Sequence, residues 1–228
     1  MEWGRKRIGS LILAAITFGL APAVIRAEEG KSPALSTIPM QELPARARDK
    51  VRAVVEHPTL RTTGPAETFA CQPAQYHEFL DRPDKAVEMW RKLGAKCITI
   101  TDRGKGRFGW ADERGNDIGW DTVYKGPKMR IWYAEGKVKP GTLLPTVPIR
   151  AVVVFHYTEG HDLKGRCLIR HQADLYVLTD STAAALVARM LGPSAPRLAE
   201  NYVAQLQTFF AALAWYCQQH PDTTKTEK

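Results

Sequence analysis

The sequence predicts an α+β domain in which an antiparallel sheet of about six or seven strands packs on one long C-terminal helix. Three observations carry that expectation. The stretch from Ser194 to about Gln219, SAPRLAENYVAQLQTFFAALAWYCQQ, repeats Leu198, Tyr202, Leu206, Phe209, Leu213 and Tyr216 at three- and four-residue steps. That is the spacing of one face of an α-helix. The chain between residues 96 and 179 instead alternates apolar and polar side chains in short runs separated by Gly-, Asp- and Pro-rich turns, as half-buried strands do. Finally, a stripe as aromatic as that of the helix needs a broad apolar partner, and the preceding chain supplies mostly strands.

The first segment stands outside this fold. Arg5, Lys6 and Arg7 precede an apolar run from Ile8 to Leu20, followed by Ala21-Pro22-Ala23 and Ile25-Arg26-Ala27. A basic start, a short apolar stretch and small residues at its end describe a secretory signal peptide, cut after Ala23 or Ala27. The run is shorter than the about 20 residues of a spanning helix, so a cleaved signal is expected rather than a membrane anchor. Export to the periplasm or cell envelope follows. Residues 28–40 are small, polar and Pro-containing and read as a linker. Leu43, Ala47, Val51 and Val54 then line one face of a helix over 41–57, ended by His57-Pro58. Residues 41–66 are taken as an N-terminal helical extension, 67–220 as the main domain and 221–228 as a tail.

The main domain opens with a short strand, Thr68 to Cys71. Two small helices follow, over Pro73 to Leu80 and Pro83 to Leu93, separated by Asp81-Arg82-Pro83 with Asp81 suited to cap the second. Strands are then expected at Lys96–Thr101, Arg107–Ala111, Ile118–Tyr124 and Met129–Ala134. The two strongest, Ile149–Thr158 and Arg166–Thr179, form a hairpin around Gly160–Gly165. A short helix over Thr182–Leu191 ends at Gly192-Pro193, and the long helix begins with Ser194 as its N-cap and Pro196 in its first turn.

The 228 residues, 44% of them hydrophobic, suffice for one good core. Removing residues 1–27 lowers the formal charge from +8 to about +5. That permits contact with an anionic membrane surface without demanding it, and export argues against nucleic acid. The strand cations Arg103, Lys105, Arg107, Lys125, Lys128 and Arg130 read first as a solvated face. Four cysteines, Cys71, Cys97, Cys167 and Cys217, leave two readings open, disulfides or buried free thiols. Their spacing fits neither a zinc ribbon nor a CxxC redox site.

No catalytic motif is specific. Gly104-x-Gly106-x-x-Gly109 matches a dinucleotide fingerprint in form, but a strand follows where that motif needs a helix, so a glycine-rich hairpin turn is expected. His156 and His171 lie on neighbouring strands. Strict alternation puts His171 with the apolar set Ile169, Ala173 and Leu175, and puts His156 on the other side. A shared metal is not expected, and His171 is expected to be a satisfied core histidine. No cofactor, metal or catalytic residue is assigned. The aromatic group Phe108, Trp110, Trp120, Trp132, Tyr133 and Tyr176 is the most suggestive feature. It lines an apolar cavity beneath the helix or packs solidly against it.

The order strand, two small helices, about six strands, terminal helix resembles that of the START-like (SRPBCC, or polyketide cyclase) helix-grip superfamily over roughly Glu67 to Gln219. The resemblance rests on the order of elements and not on a signature motif. It implies a curved antiparallel sheet wrapped on the C-terminal helix, with the first two strands paired. That pairing would bring Cys71 near Cys97 and set Cys167 against Cys217. It also implies noncatalytic binding of a hydrophobic or amphipathic small molecule, lipids included, at Trp110, Trp120, Trp132, His171, Tyr176, Phe209 and Leu213. The alternatives are a cyclase- or hydrolase-like enzyme with His171 as base, and a structural module of the cell envelope with a filled core.

Overall fold

The computed structural model describes residues 37–220 except 93, 96, 140–144 and 181–194, and leaves aside the side chains of 195–199 and 202. The expected signal segment, the short helix expected over 182–191 and the expected tail lie outside the described residues.

A short turn at Met40–Glu42 leads into α1 (Ala45–Glu56). The edge strand follows in two pieces, β1 (Leu60–Thr63) and β2 (Glu67–Ala70). Next come α2 (Pro73–Asp81) and α3 (Pro83–Lys92), each with proline at its first position, where no intrahelical N–H is lost. Then come β3 (Thr101–Gly104), β4 (Arg107–Ala111), β5 (Asp117–Lys125), β6 (Met129–Val138), β7 (Val147–His161) and β8 (Cys167–Thr179). The last element is α4 (Ala195–Gln219).

The strands form one curved, antiparallel, open sheet in the order β1, β8, β7, β6, β5, β4, β3, with β2 also on β8. The α+β class with a sheet against a C-terminal helix is therefore as expected, but the strand pairing is not. The first strand pairs with the last, Leu60 opposite Val177 and Glu67 opposite His171. It does not pair with the next strand in sequence, so the route by which Cys71 would meet Cys97 is absent, and all four thiols are free. Cys217 instead has its Sγ 3.4 Å from the sulfur of Met89. Nor do residues 97–100 form the strand expected from Lys96 to Thr101. They run without regular structure beside α3, and β3 starts only at Thr101, where β4 offers a partner. The Gly104–Gly106 turn joining β3 to β4 has three successive residues of positive φ, namely Gly104 (78°), Lys105 (56°) and Gly106 (71°). Glycine suits that turn, and no helix follows it.

Both faces of the sheet are covered. On one, α1 buries Ala47, Val51, Val54 and Val55 against Ile131, Tyr133, Val152, Val154 and Tyr176. The segment expected as an extension thus supplies both a covering helix and the edge strand β1. On the other face, α2, α3 and α4 close over Trp132, Phe155, Tyr157, Ile169 and Ala173. Two covered faces explain why successive residues of β7, such as Val154 and Phe155, are both buried.

The buried face of α4 is turned by about one residue from the expected stripe. Val203, Gln207, Phe210, Leu213, Ala214 and Cys217 face inward beside Phe209, while Leu206 and Tyr216 are only partly buried. Tyr216 stacks on His220 at 4.2 Å. The cause is a polar residue that periodicity alone places outside. Gln207 is fully buried and donates from Nε2 to the Pro65 carbonyl, in the break between β1 and β2. Gly64 makes room there, because a Cβ at that position would overlap the Gln207 side chain.

Candidate functional site

The face of the sheet beneath α2–α4 carries an aromatic row that crosses four strands. Phe108 on β4 stands opposite Trp120 on β5, and Thr122 stands opposite Trp132 on β6. Ring centroids are 5.9 Å apart for Phe108–Trp120, 6.4 Å for Trp120–Trp132 and 4.8 Å for Trp132–Phe155. From above, Phe210 of α4 meets Phe155 edge-on at 5.6 Å, and Phe209 meets Trp90 of α3 at 5.5 Å. Register puts Trp110 on the same face, opposite Ile118, in a cluster with Val138, Val147, Ile149 and Val177.

Of the expected site residues, Trp110, Trp120, Trp132, His171, Phe209 and Leu213 therefore share one layer. Tyr176 does not. It occupies an even position of β8 and packs under α1, where Arg61 lies over its ring at 5.3 Å. Tyr133, another member of the expected aromatic group, is on that face as well. Side chains alternate along a strand, so neither tyrosine can line a site between the sheet and α4. The face they occupy is apolar as well, because α1 covers it.

Unsatisfied donors mark this layer. Among the described residues, Trp90, Trp110, Trp120 and Trp132 each bury an indole N–H with no hydrogen-bond partner, and the Thr122 hydroxyl is in the same condition. An indole offers a donor and no acceptor, and a buried tryptophan N–H ordinarily finds a partner. Each unpaired donor costs roughly 1–3 kcal/mol.

At the β8 end of the layer sits a polar array that periodicity did not suggest. His171 Nδ1 is 3.0 Å from the Tyr76 hydroxyl, and His171 Nε2 is 3.6 Å from Glu67 Oε2. Phe69 meets the imidazole edge-on at 4.9 Å, and Phe210 lies beyond. Burial holds the imidazole well below its ordinary range, at about 4, and pushes the Tyr76 phenol far up. His171 is thus neutral near pH 7. Glu67 is fixed by Thr208 of α4, whose hydroxyl donates to Oε1 at 3.1 Å. Glu67 stands opposite His171 only because the first strand joins the last, a pairing that local periodicity does not give. Tyr76 comes from a helix and has no sequence signal.

Beside it, Arg130 is buried and holds the β5–β6 turn to the end of α2. It donates from Nε to Asp81 at 3.1 Å, and from Nη1 to the Gly126 carbonyl and the Tyr157 hydroxyl, both at 2.5 Å. Arg130 is therefore not part of a solvated cationic face. Asp81 ends α2 in this contact and leaves α3 to Asp84 in its first turn.

His156 is on the α1 side of β7, 3.2 Å from Asp174, and shares nothing with His171. No group of three metal-ligating side chains occurs among the described residues. Three concavities among them lie outside the sheet–α4 seam. One of about 330 Å³ includes Arg103, Arg107, Asp117 and Glu135, one of about 500 Å³ lies between α3 and Thr99–Ile100, and one of about 310 Å³ includes Arg150 and Asp180.

No protein-family model matches the chain, and neither does any curated protein. Among solved structures it is similar to a conserved protein from Geobacillus kaustophilus, at 15% identity and TM-score 0.42, over 67% of this chain and 96% of that one. It is also similar to the ZhuI aromatase/cyclase from Streptomyces sp. R1128, at 11% identity and TM-score 0.39, over 74% and 99%. A third is norcoclaurine synthase from Thalictrum flavum, at 11% identity and TM-score 0.34, over 65% and 86%.

Proposed function

We propose that this protein is exported and binds a hydrophobic or amphipathic small molecule, without catalysis, between the sheet and α4. One observation carries the reading. The aromatic layer of Trp110, Trp120 and Trp132 with Trp90 above it buries four indole N–H donors that have no partner among the described residues. Flat apolar faces bearing a few fixed donors are what an amphipathic ligand requires. Leu213 and Phe209 of α4, and Phe210 beside them, form the apolar roof. His171 closes one end as a neutral, buried group held by Tyr76.

The alternative of a cyclase- or hydrolase-like enzyme has less support. It needs a reactant at His171, whose side chain has no exposed surface. The test is native mass spectrometry of the protein taken from its own envelope, with tryptophan fluorescence during titration with palmitate. A co-purifying small molecule, or a saturable fluorescence change weakened in Trp132→Phe, is the expected result. A ligand-free protein with no response would sink the binding reading in favour of a filled core. Export is tested separately, by N-terminal sequencing of the mature protein, expected to begin at Val24 or Glu28.

A further inference from the structure

Three strands bring His161, Cys167 and Cys71 into one cross-strand row. His161 of β7 stands opposite Cys167 of β8, with Nε2 3.6 Å from the thiol sulfur. On the other side of β8, the pairing of Ala70 with Leu168 extends one step further, because the Cys71 N–H donates to the Cys167 carbonyl at 3.2 Å. Directly opposed residues of an antiparallel pair share a face, with Cα atoms about 4.5–5.5 Å apart. That lies within the about 4.4–6.8 Å that a disulfide spans. Exposure is graded along the row: His161 is exposed, Cys167 half-buried and Cys71 buried.

We propose that this row is a thiol–disulfide exchange site, with Cys167 as the entering thiol, His161 as its base and Cys71 as the resolving thiol. The proposal does not depend on the ligand-binding reading. Cys167 gives its proton to His161 Nε2, and the thiolate attacks one sulfur of an external disulfide such as oxidised glutathione. The external S–S bond breaks, one glutathione leaves as thiolate and takes that proton, and a mixed disulfide remains on Cys167. Cys71 then attacks the Cys167 sulfur and passes its proton to the second departing glutathione. Two protein thiols lose two electrons in all, and one glutathione disulfide becomes two thiols. Burial, and secondarily the neighbouring Cys217, pushes the Cys71 thiol up to about 12, so the half-buried partner reacts first. The finished bridge ties the end of the edge strand and the start of α2 to β8.

The test treats the native full-length chain with oxidised glutathione, traps free thiols with N-ethylmaleimide in denaturant and maps peptides without reduction. The expected product is a Cys71–Cys167 peptide. Cys71→Ala should stop at glutathione on Cys167, and His161→Ala should slow that adduct by about a hundredfold or more. If Cys71→Ala does not fold, Cys167→Ser decides the matter, since Cys71 should then stay free. A Cys71–Cys217 peptide, oxidation of Cys71 in Cys167→Ser, or both row thiols free after Cys97 has reacted overturns the proposal.

Discussion

The imidazole of His171 and the phenol of Tyr76 meet at 3.0 Å in a place from which both side chains exclude solvent. One element of the pair is the last strand and the other is the first helix after the edge strand. The contact therefore ties together parts of the chain that are far apart in sequence. With the phenol donating to Nδ1, the remaining imidazole proton points at Glu67, 3.6 Å away.

Burial of that imidazole sets a pH dependence. The folded pKa of His171, about 4, lies below its ordinary value of 6.5. The unfolded chain therefore takes up the proton first as pH falls. The stabilisation is complete above about pH 6.5 and is lost as pH drops through about 4, by on the order of 3 kcal/mol. Urea unfolding between pH 7 and 4 should show this slope, and His171→Gln should flatten it.

Removing the phenol hydroxyl tests the same contact without changing charge. Tyr76→Phe leaves His171 Nδ1 buried and unpaired, and is expected to cost about 1–3 kcal/mol. A loss in urea midpoint with unchanged slope is the signature.

The docking of α4 is tested at Gly64. A Cβ there would overlap the Gln207 and Val203 side chains, so Gly64→Ala should destabilise by about 1–3 kcal/mol. Trimming the obstruction with Gln207→Ala should recover part of that loss in the double variant. The two changes should therefore be non-additive in a double-mutant cycle.

If α1 is part of the core, trimming it must hurt. Val51 and Val54 have no exposed surface, and Val54→Ala should cost about 2 kcal/mol. Val54→Asp should prevent folding of the whole domain, read as loss of near-ultraviolet circular dichroism. A detachable extension would show neither effect.

Arg130 anchors the β5–β6 turn through Asp81, Gly126 and Tyr157. Arg130→Met keeps the bulk and removes these bonds. Because Asp81 is partly exposed and also pairs with Lys125 at 3.2 Å, the expected cost is about 1–3 kcal/mol rather than that of a fully buried pair.

Ile149, Ala151, Val153, Phe155 and Tyr157 announce a strand by alternation, and they do form one face of β7. The opposite orientations of His156 and His171 followed from the same rule and are seen in the register. The same rule puts Tyr176, at an even position of β8, on the face opposite His171, whereas Gln207 could not be placed by periodicity. The inward stripe of α4 was misplaced by about one residue because a buried glutamine, held by a backbone carbonyl, looks like a surface residue in any pattern of polarity.

Local periodicity was thus enough for the class of the fold, the long C-terminal helix and the alternating faces of β7 and β8, because side-chain direction depends only on neighbours along the chain. Folding in three dimensions decided which strand the first strand joins, that α1 covers the second face, that Tyr76 reaches His171 and that Cys71 stands beside Cys167. Val51 and Tyr176, for example, share the α1-face cluster and are 125 positions apart. Such contacts are set by which apolar surfaces find cover and which buried polar groups find partners, and no short window of sequence contains both members of such a pair.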